Sequence, residues 1–139
     1  MALFDFLRKK PTNALEVLGS TPAFQEQKKL YDLMSQTCDD GIDADELPNG
    51  IGEFGASPDN PIPCKTIYGS TSYLARLRAP DGAKVLYERR GSFGSNVSPH
   101  PVDGYDLSHP DGRKLATVYL SPYQKRISSK APRGFTLAS

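Results

Sequence analysis

The chain has 139 residues, of which 17 are Lys or Arg and 16 are Asp or Glu, so that the formal net charge is +1. This length suits one domain with its own core, and the composition excludes a disordered chain. No apolar run is long enough to span a membrane, and the first ten residues lack the order of a signal peptide, which predicts a cytoplasmic protein.

Residues 1–38 have a helical pattern. Short apolar stretches at 2–9 and 13–18 predict two short helices. Pro22 at a first helical position, followed by apolar residues at a spacing of three to four up to Met34, predicts a longer helix over about 22–37. We expect its apolar stripe to belong to the core.

Residues 39–63 form an acidic connection that is rich in Gly and Pro. The five carboxylates of 39–46 lack the spacing of an EF-hand loop, so calcium binding is not expected. The three Gly and four Pro of 47–63 exclude a long helix or a central strand. Because Ile51, Phe54 and Ile62 are apolar, we expect an ordered, packed connection rather than a linker.

Residues 64–124 have the pattern of strands and tight turns. Two Pro-Asp-Gly turns, at 80–82 and 110–112, predict two similar hairpins. The predicted strands are 65–68, 72–78, 84–90, 102–108 and 113–120. The sequence therefore predicts an α+β fold over 1–139, in which N-terminal helices pack on a mainly antiparallel sheet of four or five strands built from these hairpins. The basic tail, 125–139, is irregular, although Phe135 and Leu137 should attach its end to the fold.

The charges are distributed unevenly. Residues 39–60 carry seven acids and no Lys or Arg, whereas residues 61–139 carry twelve cations and five acids. We expect the acidic connection to lie across the basic sheet and tail. The alternative is a basic face that is open to an anionic partner.

The sequence contains no recognisable catalytic or metal-binding pattern. The two cysteines, Cys38 and Cys64, are expected to be thiols, with a single disulfide as the alternative. Together with His100 and His109, the two cysteines form none of the closely spaced ligand pairs that are typical of zinc sites. No metal and no cofactor is therefore expected. Residues 50–55 match the glycine pattern of dinucleotide-binding loops, but no strand precedes them and no helix follows.

Four residues are candidate binding residues. Glu53 is an acid flanked by Gly and Phe, and could be a pocket carboxylate together with its neighbour Phe54. Tyr123 and Arg126 combine an aromatic ring with a cation, a mixture that suits stacking on single-stranded nucleic acid.

Five short motifs resemble those of a family of small bacterial proteins to which no activity is assigned. They are Gly-Glu-Phe-Gly (52–55), Asn-Pro-Ile-Pro (60–63), Tyr-Leu-x-x-Leu (73–77), Leu-Ser-Pro-Tyr (120–123) and Lys-Ala-Pro-Arg-Gly-Phe (130–135). The resemblance covers residues 46–137. It implies a bacterial, cytoplasmic protein and assigns no role to any residue.

Three functions are compatible with these observations. The leading hypothesis is a non-enzymatic protein-binding module, whose partner is another protein or a second copy paired through an exposed sheet edge. The alternative is a small enzyme or a small-molecule binder that uses residues 47–63 as a pocket wall. The third is a nucleic-acid binder that uses the basic C-terminal face.

Overall fold

The computed structural model of the chain describes residues 22–139 and divides it into two compact units, Met1–Met34 and Ser35–Ser139. The helices predicted over 2–9 and 13–18 lie outside the described residues. Helix α1, Pro22–Gln36, confirms the helix predicted over 22–37. None of its residues is buried, so the prediction that its apolar stripe belongs to the core is wrong.

The second unit contains one further helix, α2, and six strands. They are β1 (Ile62–Pro63), α2 (Thr66–Arg76), β2 (Leu77–Arg78), β3 (Leu86–Phe93), β4 (Val102–Ser108), β5 (Lys114–Ser121) and β6 (Thr136–Leu137). The main sheet has the order β1-β5-β4-β3. Its β3–β4 and β4–β5 pairs are antiparallel, and the short β1 runs parallel to β5. The α+β class with a mainly antiparallel sheet is therefore confirmed, and β2 and β6 form a separate two-stranded sheet.

Helix α2 occupies the region where strands were predicted over 65–68 and 72–78, and both of those predictions are wrong. The alternation of Tyr73, Ala75 and Leu77 suggested a strand, whereas the buried positions have helical spacing. Small and polar residues complete the buried stripe, which consists of Thr66, Gly69, Ser70, Tyr73 and Leu74. A periodicity count restricted to apolar residues misses such a stripe.

The two predicted hairpins have different outcomes. Strands β4 and β5 pair across residues 109–113, as expected for the second Pro-Asp-Gly turn. The first turn is preceded by the two residues of β2, and a single bridge joins Arg78 to Lys84. The first predicted hairpin is therefore reduced to a turn, and the strand after it, β3, pairs with β4 instead.

One hydrophobic core joins α2 to one face of the sheet. Tyr73, Leu74 and Leu77 share it with Leu107, Val118 and Leu120 of β4 and β5, among other buried residues. Burial of each leucine stabilises the fold by about 1.5–3 kcal/mol. The hydroxyl of Tyr73 donates a hydrogen bond to the carbonyl oxygen of Lys130 at 2.7 Å, so its polar end is satisfied.

The connection 47–63 is packed in part, as predicted. Phe54 and Ile62 belong to the core, but Ile51 is 66% exposed, which contradicts its expected burial. The connection contributes β1 at one edge of the sheet, and Tyr119 N–H donates to the carbonyl oxygen of Gly55. At the other end of the chain, Phe135 and Leu137 pack against the core, as the sequence predicted.

Candidate functional site

The acidic connection lies against the basic tail, which confirms the tail part of the internal explanation of the charge distribution. Arg126 contacts carboxylate oxygens of Asp43 at 3.0 Å and Asp45 at 3.5 Å. Lys130 contacts Glu46 at 2.8 Å. We call this contact between residues 41–46 and 124–130 the clasp.

Asp45 receives the most hydrogen bonds in the clasp. Its carboxylate accepts from the backbone N–H and the hydroxyl of Ser129, each at 2.8 Å, while its carbonyl oxygen accepts from the Ser128 hydroxyl. The Ser129 bonds, followed by the nearby Arg126 cation, hold the pKa of Asp45 below its ordinary value. The clasp is therefore a specific contact rather than diffuse attraction between opposite charges.

Gly41 and Gln124 hold the other end of the clasp. The Gln124 side chain accepts a hydrogen bond from Ile42 N–H at 2.7 Å and donates one to the Ser121 hydroxyl at 3.0 Å. A Cβ on Gly41 would collide with the carbonyl oxygen of Tyr123 and stand 2.5 Å from the Cα of Gln124. Only glycine allows this close approach of two backbones.

Beside this contact lies a cleft of about 300 Å³. Four loop segments line it, namely 40–42, 47–49, 97–100 and 123–124. Asn49 Nδ2 donates to the carbonyl oxygen of Val97 at 3.3 Å, and both amide groups of Asn96 donate to Asp59. These bonds fix the loop 94–101 against the connection, so that the connection forms one wall of the cleft.

Inside the cleft, the rings of His100 and Tyr123 are stacked, with 4.2 Å between their centroids and 20° between their planes. Asp40 is the only acid in the lining, and the lining contains no Lys or Arg. Asp40 forms no ion pair with any residue of the range 22–139, unlike Asp43, Asp45 and Glu46 of the same acidic segment.

His109 joins the two Pro-Asp-Gly turns. Its Nε2 lies 2.8 Å from Oδ2 of Asp81 in the first turn, and its Nδ1 accepts from Asp111 N–H. The bond from Ala83 N–H, followed by the His109 contact, lowers the pKa of Asp81. Nε2 thus joins the two turns, while Nδ1 accepts a hydrogen bond within the second turn. The side chain of His109 is only 13% exposed.

Both cysteines are buried thiols and do not form a disulfide with each other, as the sequence predicted. The Cys38 thiol donates to the carbonyl oxygen of Pro122 at 3.3 Å. Burial raises the pKa of Cys64 to about 12. A thiol with this pKa is protonated near neutral pH and is therefore a poor nucleophile.

Strand β3 is the outer strand of the sheet. Among the described strands it pairs with β4 alone. Residues 86–90 are exposed, including Leu86 at 57% and Tyr87 at 39%. The opposite edge is different, because β1 has only two residues, both buried, and one of them is Pro63.

The charges on β3 are incompletely matched within the sheet. Glu88 lies directly opposite Asp106 of β4. Arg90 and Lys114 approach Asp106 at 4.0 and 3.6 Å, whereas Glu88 has no ion pair with a residue that the structure describes. Like charges directly opposite one another destabilise a strand pair, and no cation of residues 22–139 pairs with Glu88 to offset this repulsion.

The structure separates the four candidate residues of the sequence. Tyr123 lines the cleft, and Arg126 belongs to the clasp. Glu53 is exposed and lies 3.0 Å from Arg133, while Phe54 is buried in the core beneath Lys130. Their roles in binding remain predictions. Sequence reasoning did not select Asp40 or pair His100 with Tyr123, because the loops that bring these residues together are more than 20 residues apart and no local spacing relates them.

Comparison of the chain with family models, with curated proteins and with solved structures found no match. Within the described residues, no group of three or more His, Cys, Asp or Glu side chains has the arrangement of a metal site. Neither described helix combines the length and the apolar character that crossing a membrane requires.

Proposed function

We propose that the chain is a non-enzymatic protein-binding module whose contact surface is strand β3. The observation that carries this proposal is an edge strand of eight residues, exposed over 86–90 and bulged between Arg89 and Gly91, whose outer side has no partner strand among residues 22–139. The outward N–H and C=O groups of an edge strand form hydrogen bonds to an incoming extended segment, which then extends the sheet.

The side chains of β3 define the chemistry of the incoming segment. Glu88 needs a cation, and Arg90, whose contact with Asp106 is loose at 4.0 Å, can accept a second carboxylate. Leu86 and Tyr87 offer apolar surface at one end. The partner is therefore an extended segment with a cation and an acid two residues apart and an apolar residue near them.

A second copy of β3 is one segment with this chemistry. If two copies pair antiparallel around Arg89, Glu88 of each copy comes near Arg90 of the other, which a bulge between Arg89 and Gly91 displaces from the regular register. Each Arg89 is already held by Asp103 of its own chain at 2.9 Å, which reduces the repulsion between the two Arg89 side chains. Self-pairing is therefore the first form of the proposal to test.

The matched variants are Arg90→Glu in β3 and Arg133→Glu elsewhere. Both replace an exposed arginine and remove one exposed ion pair, so their charge changes are equal. Light scattering behind size exclusion should show a dimer for wild type and Arg133→Glu and a monomer for Arg90→Glu. A mixture of Glu88→Arg and Arg90→Glu chains should restore the dimer, because each then supplies the charge that the other lacks.

If the wild type is monomeric, the same variants test for a different protein partner. The wild type and Arg133→Glu should retain a protein from host lysate that Arg90→Glu loses, and residues 86–90 should exchange their amide protons more slowly in that complex. Equal retention by Arg90→Glu, or no slowing of exchange in β3, would contradict the proposal.

The third hypothesis, a nucleic-acid binder, has less support. Three of the four cations of the tail, Arg126, Lys130 and Arg133, are each paired with an acid of the connection. A cation that already has a partner contributes little to phosphate binding. The bacterial and cytoplasmic origin expected from the sequence remains part of the proposal.

A further inference from the structure

The acids of 39–46 fall into two groups. Asp43, Asp45 and Glu46 are neutralised by the tail, whereas Asp39 and Asp40 form no ion pair with any described residue. Of these two, only Asp40 lines the cleft. The cleft therefore contains one carboxylate that forms no ion pair within residues 22–139.

The rest of the lining favours a positive ligand. It contains no Lys or Arg, so no permanently charged cation of the lining competes for Asp40. The stacked rings of His100 and Tyr123 provide an aromatic surface against which an ammonium or guanidinium group can pack. Leu47, Pro48 and Val97 add apolar surface to the lining.

The size of the cleft limits the ligand. Its volume of about 300 Å³ lies at the lower end of the range of small-molecule sites, about 300–1,000 Å³. It has room for one small charged group with a short aliphatic part, and not for a large cofactor.

We propose that this cleft binds a small organic cation, an amine or guanidinium compound, whose charged group pairs with Asp40 and packs against the His100–Tyr123 rings. The site is distinct from β3 and does not depend on the function proposed for that strand. Within it, Asp40 provides charge recognition and Tyr123 provides the packing surface.

Two probe molecules test the charge requirement. Nα-acetyl-arginine ethyl ester carries a guanidinium group as its only charge, and Nα-acetyl-citrulline ethyl ester has an uncharged urea group of the same shape. The full-length chain is labelled with ¹⁵N and titrated with each ester at low salt. We expect saturable shifts for residues of the four lining segments with the arginine ester, and at least about tenfold weaker binding of the citrulline ester, which corresponds to about 1.4 kcal/mol.

Two neighbouring substitutions test the position of the carboxylate. Asp40→Asn should weaken binding of the arginine ester about tenfold, whereas Asp39→Asn, with the same charge change outside the lining, should change it less than about twofold. Equal weakening by both would show general electrostatic attraction and would overturn the proposal. Equal binding of the two esters would overturn it as well.

The aromatic surface and the source of the cation are tested in the same way. Tyr123→Phe keeps the ring and should keep the affinity, while Tyr123→Leu should lower it, and thermal melts confirm that both variants are folded.

A capped Gly-Arg-Gly peptide presents the same guanidinium group within a chain and should bind no more tightly than the arginine ester. Binding of the peptide alone would assign the cleft to a protein side chain and exclude a small free ligand.

Discussion

Replacing Gly41 with alanine should destabilise the chain by about 2 kcal/mol. The added methyl group meets the carbonyl oxygen of Tyr123 and the Cα of Gln124, which are backbone atoms and cannot rotate away. Overpacking of this kind costs about 1–3 kcal/mol, and we expect the upper value because both obstacles are rigid. The lower conformational entropy of unfolded alanine offsets about 0.4–1 kcal/mol of that cost.

The corresponding change in melting temperature follows from the size of the chain. At about 2.1 cal/mol/K per residue, unfolding 139 residues has an entropy of about 0.3 kcal/mol/K, so a loss of about 2 kcal/mol lowers the Tm by about 7 °C. Thermal unfolding followed by circular dichroism measures this shift. The matched control is Gly94→Ala, since a Cβ there meets nothing within 4 Å.

The two variants should also differ at the clasp. Gly41→Ala should displace residues 123–124 and change the amide shifts of Tyr123 and Gln124, whereas Gly94→Ala should leave them in place. If Gly41→Ala melts within about 2 °C of Gly94→Ala, the two backbones do not approach as closely as the structure has them, and the argument for the clasp fails.

Two further predictions concern pH. Because burial raises the pKa of Cys64 from 9.0 to about 12, its contribution to stability is complete below pH 9 and is lost as the pH rises from 9 towards 12, at about 1.4 kcal/mol per unit. Urea unfolding at pH 8, 9 and 10 should show this loss, and Cys64→Ala should flatten it; an unchanged slope would contradict the burial argument. Because the pKa of Asp45 is lowered from 3.8, its contribution is complete above pH 3.8 and is lost as the pH falls through the lowered value. Asp45→Asn should therefore reduce the acid dependence of unfolding between pH 4 and 2, and the same acid dependence in both proteins would refute the role of the Ser129 bonds.

The sequence predicted the fold best where local chemistry and tertiary structure agree. The residues of β4 and β5 have the alternating or strongly apolar pattern that is typical of strands. The Pro-Asp-Gly turn between them needs no distant contact to form. Residues 66–76 are the opposite case. Their β-branched residues and Gly69 have weak helix propensity, and α2 forms because its stripe packs on the sheet. Thr66 even begins the helix with a positive φ of 61°, which no local preference would select.

Of the candidate site, only the contact between the acidic and the basic regions was predictable, and it was predictable from the distribution of charge along the sequence. The excess of acids in 39–60 and of cations after residue 61 indicated that the two regions would meet, and the clasp confirms it. Which acid would remain unpaired was not predictable. Asp43 lies 3.0 Å from Arg126, whereas Asp40, three residues earlier, forms no ion pair within residues 22–139, and no local pattern of the sequence distinguishes the two.

The clasp has a consequence for the order of folding. Its hydrogen bonds join residues 82 to 84 positions apart, whereas β4 and β5 are joined through a turn of a few residues. Contacts between distant residues form late, because closing a long loop costs entropy before any contact can offset it. The β3–β5 meander should thus be present in the transition state while the acidic segment is still detached. Changes in the clasp should then accelerate unfolding and leave the folding rate almost unchanged, so that the clasp determines how long the folded chain survives more than how quickly it forms.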